Sequence, residues 1–110
     1  MRVGKWSEVE PVVYDDENAK ALKRVLVKTE NYVMRLFTLP EGGFTPYHSH
    51  DWEHGVFVLD GKIKLRGEGE EYILEEGMFA FVPPNEMHGF ENVGEGEARF
   101  ICVIPSKGGE

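Results

Sequence analysis

The feature that most limits how this chain can fold is its punctuation. Short apolar or alternating runs recur along it, and no amphipathic helical period of useful length appears. The runs are Val12–Tyr14, Arg24–Lys28, Tyr32–Leu39, Val56–Leu59, Lys62–Arg66, Glu71–Leu74, Met78–Val82, Met87–Phe90 and Ala98–Ile104. Between them lie turn-forming stretches such as Pro40-Glu41-Gly42-Gly43, Asp60-Gly61, Gly67-Glu68-Gly69, Pro83-Pro84-Asn85 and Gly94-Glu95-Gly96. Many short strands at this spacing predict an all-β sandwich or barrel. Asp60-Gly61, flanked by two such runs, predicts a two-residue hairpin. Asp15–Lys23 reads as a short helix capped by Asp15 or Asp16, or as a loop of similar length. Ser106–Glu110 reads as a frayed tail.

At 110 residues the chain fits one domain. The expected division is an N-terminal segment 1–22, a barrel 23–105 and a tail 106–110. The net charge of −8 would repel phosphate backbones, and no basic cluster offsets it, so nucleic acid is not an expected partner. No apolar stretch is long enough to span a bilayer, and the first residues lack the apolar core of a signal peptide. The expected location is therefore the cytoplasm. Cys102 is the one cysteine, so no internal disulfide can form. Glutamine is absent while Glu and Lys are plentiful, a tilt toward a thermophilic source.

Three of the four histidines fall in Pro46-Tyr47-His48-Ser49-His50-Asp51-Trp52-Glu53-His54. In an extended segment His48 and His50 point to one side and can share a metal ion. His54 has the same parity and opens the run Val56–Leu59. His88, at another run, is the distant fourth ligand that a barrel could bring in. The spacing of His50 and His54 would also suit one helix face. Pro46, Gly55 and the strand-like run that follows argue against it. A lone histidine is usually a solvated or hydrogen-bonded residue. Three clustered at metal spacing, with the fourth on another strand, point to a divalent metal centre.

These residues resemble the cupin superfamily. Its first motif is a Gly, five residues, His-x-His, three or four residues, Glu, six residues and Gly; Gly42, His48-Ser49-His50, His54 and Gly61 stand at those spacings. Its second motif is a Gly, five residues, Pro-x-Gly, two residues, His, three residues and Asn; Gly77, Pro83-Pro84-Asn85, His88 and Asn92 match it. Asn85 replaces a Gly, a mild change because Asn tolerates a left-handed backbone. His54 replaces the usual Glu, which is similar to small single-domain cupins with four-histidine sites, some of which hold manganese. The resemblance implies a jelly-roll β-barrel and a homodimer, with Trp6–Tyr14 the candidate for strand exchange. It implies one divalent ion on His48, His50, His54 and His88. Mn comes first on resemblance, although nitrogen ligands alone would suit Fe, Ni or Zn better.

Replacing the Glu by His raises the site from about +1 to about +2, which favours an anionic ligand such as a small carboxylate. Oxygenase and decarboxylase chemistry both occur among the cupins this chain resembles. A non-catalytic ligand-binding module is the alternative. Nucleotide-sugar epimerase chemistry would need the histidines as bases and finds no support. Glu53 is the candidate proton-transfer carboxylate. Arg35, Tyr47, Trp52, Met87 and Arg99 are candidate pocket residues, the two arginines as partners for a substrate carboxylate.

Overall fold

A computed structural model describes residues 1–110 and resolves the punctuated runs into nine strands. They are β1 (Val12–Asp15), β2 (Lys20–Lys28), β3 (Tyr32–Leu39), β4 (His54–Asp60), β5 (Lys62–Arg66), β6 (Glu71–Glu75), β7 (Phe79–Val82), β8 (Gly89–Asn92) and β9 (Ala98–Pro105). They form a six-stranded sheet, β1-β2-β3-β9-β4-β7, facing a three-stranded sheet, β6-β5-β8. All pairings within the two sheets are antiparallel. The chain is an all-β jelly-roll barrel. No helix is long and apolar enough to cross a membrane.

Period-two burial builds the core. On β9, Ala98, Phe100, Cys102 and Ile104 are buried and the residues between them are half-buried. Val33 and Leu39 of β3, Val58 of β4 and Ile63 of β5 meet them between the sheets. Full burial of side chains of this size contributes about 1.5–3 kcal/mol each. Asn92 ties one end of the barrel. Its amide nitrogen donates to the carbonyls of Leu39, Pro40 and Gly96, and its oxygen accepts from Gly94 N–H.

Three expectations are corrected. Asp15–Lys23 is not a helix: Asp16 Oδ1 accepts from Asn18 and Ala19 N–H, making the turn between β1 and β2. Position 22/23 falls inside β2, which pairs with β1. Asp60-Gly61 does not join a hairpin. β4 belongs to the large sheet and β5 to the small one, so the turn is a corner between sheets. Nor is the tail frayed. Ser106–Gly108 forms a 3-10 turn, and Gly108 packs so closely on Trp52 that a β-carbon there would lie 2.8 Å from its indole.

The N-terminal segment covers part of the large sheet's outer face. Trp6 lies between the guanidinium groups of Arg24 and Arg99, 5.2 and 4.8 Å from its ring centroid. Arg24 also donates to Val9 O at 2.9 Å.

Candidate metal centre

Two chain segments carry the histidines, and the backbone joins them before any side chain does. His48 N–H donates to His88 O at 3.0 Å, and His88 N–H returns a bond to His48 O at 2.8 Å. Asn85, at φ 69, is the one non-glycine residue with a left-handed backbone, and its N–H donates to His50 O. His54 begins β4, opposite Val82 of β7.

The rings gather as this framework requires. His48 and His50 have centroids 4.2 Å apart, and His88 is 5.2 and 5.6 Å from them. His54 lies 4.5 Å from His88 and 5.3 Å from His50. His50 and His88 thus contact all the other rings, with His48 and His54 flanking them. Donor nitrogens of His48, His50 and His88 lie within 4.8 Å of one another, so these three could hold a metal ion. His54 is not in that set, and its Nδ1 is buried without a hydrogen-bond partner.

The donor set suits a cation. His88 Nδ1 is 2.9 Å from Glu86 O. A carbonyl only accepts, so Nδ1 carries the proton and the Nε2 lone pair is left for a ligand. Burial, then repulsion among neighbouring rings and Arg35, holds His48 down at about 4 and His54 at about 3, from an ordinary 6.5. Burial and neighbouring charges also lower His50. Neutral imidazole is the ligating form.

A pH effect follows. Both groups are depressed in the folded chain, so the unfolded chain binds protons first as pH falls below 6.5. The stability is full above that value and is lost on the way down through about 4 and 3. Solvent reaches this cluster, so the expected loss for metal-free protein between pH 7 and pH 4 is on the order of 2–4 kcal/mol. Thermal melts at the two values measure it, and an unchanged midpoint would contradict it.

The histidines form one wall of a cavity of about 240 Å³. The large sheet supplies the facing wall, with Ala21 and Lys23 from β2, Arg35 and Phe37 from β3, and Phe100 and Cys102 from β9, and Ala19 just before β2 joins them. Trp52 stacks on His50, centroids 4.4 Å apart and planes 4° apart. No aspartate or glutamate lines the cavity, although the chain carries a net charge of −8.

Of the pocket candidates, Arg35 and Trp52 line this cavity and the others do not. Tyr47 donates its hydroxyl to Gly67 O at 3.1 Å outside it. Met87 is half-buried, with its N–H on Glu68. Arg99 is on the outer face, paired with Asp60 and Glu97. Glu53 is exposed to solvent, so it faces no ligand. Alternation explains the arginines: Arg35 shares parity with buried Val33 and Leu39, whereas Arg99 is out of phase with Ala98 and Phe100. Lys23, Phe37 and Cys102 were missed as cavity residues. Strand phase was the signal for Phe37 and Cys102; Lys23 was hidden because β2 begins earlier than its apolar run suggests.

The cupin domain family model matches residues 35–104. This chain is a cupin. It is 39% identical over 51 residues to quercetin 2,3-dioxygenase of Bacillus subtilis, a match covering 46% of this cupin and 15% of that enzyme. It is 25% identical over 89 residues to the oxalate-binding protein of Thermotoga maritima, covering 80% of this cupin and 74% of that protein. Among solved structures, the polyketide cyclase RemF from Streptomyces resistomycificus superposes with a TM-score of 0.87 at 28% identity, covering 96% of this chain and 79% of that one.

Proposed function

We propose that this cupin holds one divalent metal ion through His48, His50, His54 and His88 and binds a small anionic organic ligand beside it. One observation carries this: the cavity joins four imidazoles to two cations, Arg35 and Lys23, with no carboxylate among its walls. Arg35 Nε is buried without a partner, and the side chain's hydrogen bonds go to the Cys102 thiol at 3.0 Å and Glu110 O at 3.5 Å. A guanidinium so poorly satisfied is a ready partner for a carboxylate. Mn is the first candidate ion, with Fe, Ni and Zn behind it.

When bound, the ion supplies Lewis-acid polarisation of a ligated oxygen. The enzyme reading is dioxygenase-like, in keeping with the relative named quercetin 2,3-dioxygenase. Decarboxylation is less well supported, because no carboxylic acid in the cavity stands ready to return a proton. That same lack favours a second reading, a non-catalytic binding module, in keeping with the relative named an oxalate-binding protein. Metal analysis of untagged protein, then titration of the loaded protein with acetate and with acetamide, tests the shared core of both readings. Acetate is expected to bind at least about tenfold more tightly, the scale of one charge-assisted hydrogen bond. Negligible or equal effects of the two would reject it. Oxygen-uptake assays then separate enzyme from module.

The homodimer is also proposed, and a surface besides the N-terminal segment Trp6–Tyr14 could carry it. The outer face of β4 and the edge strand β7 exposes Phe57, Phe79 and Phe81 at 46%, 78% and 60%. These rings alone offer roughly 350 Å² of apolar surface, against about 800 Å² per partner in a standard interface. A second copy laid across this face would cover both the rings and the open β7 edge. Phe79→Glu with Phe81→Glu is expected to sediment as a folded monomer, and a wild-type chain that is itself monomeric would overturn the proposal.

A further inference from the structure

We infer that the ligand of this cavity is an aromatic acid, a flat ring bearing a carboxylate, rather than a two-carbon acid. The inference rests on the metal-and-anion reading above and adds the body of the ligand to its charged head. The cavity is far more apolar than an acid of a few polar atoms needs. Phe37 stacks on Phe100, centroids 5.1 Å apart and planes 11° apart, and Phe90 stacks on Phe100 at 4.5 Å. Phe100 and Phe90 are buried in the core, so their packed positions are set by the barrel and not by a ligand. Next to this wall, Ala19 and Ala21 contribute only methyl groups to the same cavity, while Lys23 stands opposite Phe37 on β2.

The Arg35 guanidinium adjoins this aromatic shelf. The Arg35 guanidinium carbon lies 5.1 Å from the Phe37 ring centroid, with its Nε unpartnered. A carboxylate that reached Arg35 and the histidines would carry its attached ring toward Phe37 and Phe100. Phe100 and Arg35 already lie on the Phe37 ring, so a ligand ring would meet this wall through apolar contact rather than by joining the stack.

Size agrees with this placement. An apolar cavity of roughly 150 Å³ accommodates benzene. At about 240 Å³ this one holds such a ring with space for a carboxylate. An oxalate or acetate would leave the phenylalanine wall in contact with water, which apolar surfaces disfavour.

The test is a calorimetric panel on protein loaded with Mn(II), with metal content checked at each step. The probes are benzoate, acetate, oxalate and benzyl alcohol. Benzoate is expected to bind at least about tenfold more tightly than acetate or oxalate, since the ring adds buried apolar area. Benzyl alcohol, which keeps the ring and lacks the charge, is expected to bind at least about tenfold more weakly than benzoate. Ala21→Leu, which narrows the cavity from the β2 side, is expected to cut benzoate affinity by more than it cuts acetate affinity. Equal affinity for benzoate and acetate would overturn the aromatic assignment and leave the metal-and-anion reading standing. Failure of every carboxylate to bind would overturn both.

Discussion

Replacing His88 by alanine is expected to weaken metal binding by at least about a hundredfold, or about 3 kcal/mol. His88 is the only ligand candidate outside the 48–54 segment, and its ring is the neighbour of all three others. Its orientation is held by the Glu86 carbonyl, so no other side chain can take its place. The barrel should survive, because the two bonds that pair residues 48 and 88 are made by backbone atoms. Equilibrium dialysis followed by metal analysis measures the loss, and circular dichroism checks the fold. His54→Ala is the companion experiment. With Nδ1 buried and unpartnered, His54 has no other evident use for its nitrogens, and its removal is expected to weaken binding at least about tenfold. Wild-type affinity in that variant would reduce the centre to His48, His50 and His88.

The second large effect is predicted at Gly61. Gly61→Val is expected to destabilise the barrel by about 3–5 kcal/mol, from two sources. The residue sits at φ 86, where a β-branched side chain is strained. A β-carbon there would also lie 2.5 Å from the Ala98 β-carbon and 2.6 Å from its α-carbon, and overpacking of that kind costs about 1–3 kcal/mol. Ala98 is fully buried at the start of β9, so it has no room to withdraw. A fall in melting midpoint of about 15 °C or more is expected for a domain of this size. Gly69→Val is the control. That position has a similar φ of 74 with nothing near its β-carbon, so it carries the backbone strain alone. Equal losses at the two positions would show that close packing against β9 is not what requires glycine at the corner.

Gly61 also shows where legibility ended. Asp60-Gly61 was readable as a turn, since local backbone chemistry requires a left-handed residue there. Which strands the turn joins was not readable. β4 pairs with β7 and β9, and β5 with β8 as well as with its sequence neighbour β6, so three of these four partners lie well away in sequence. A similar limit applied to residues 15–23. Asp16 has the chemistry of a helix cap and of a turn alike, and the decision came from β2 pairing with both β1 and β3. In the cavity, the pairing of His48 with His88 depends on a bridge that spacing cannot reveal. Arg35 and Arg99 look equivalent in isolation, and only their phase against buried neighbours separates them.

By itself the sequence determined an all-β chain, the places where it must turn, and the histidines available to one centre. These follow from period-two alternation and from backbone preferences, which act over a few residues. Tertiary structure alone decided that Asp60-Gly61 is a corner, that Arg35 and not Arg99 shares the cavity with the histidines, and that Phe37 and Phe100 form its apolar wall. Those outcomes depend on which distant strands pair and which face they bury, and long-range pairing is set by the packing of the whole barrel.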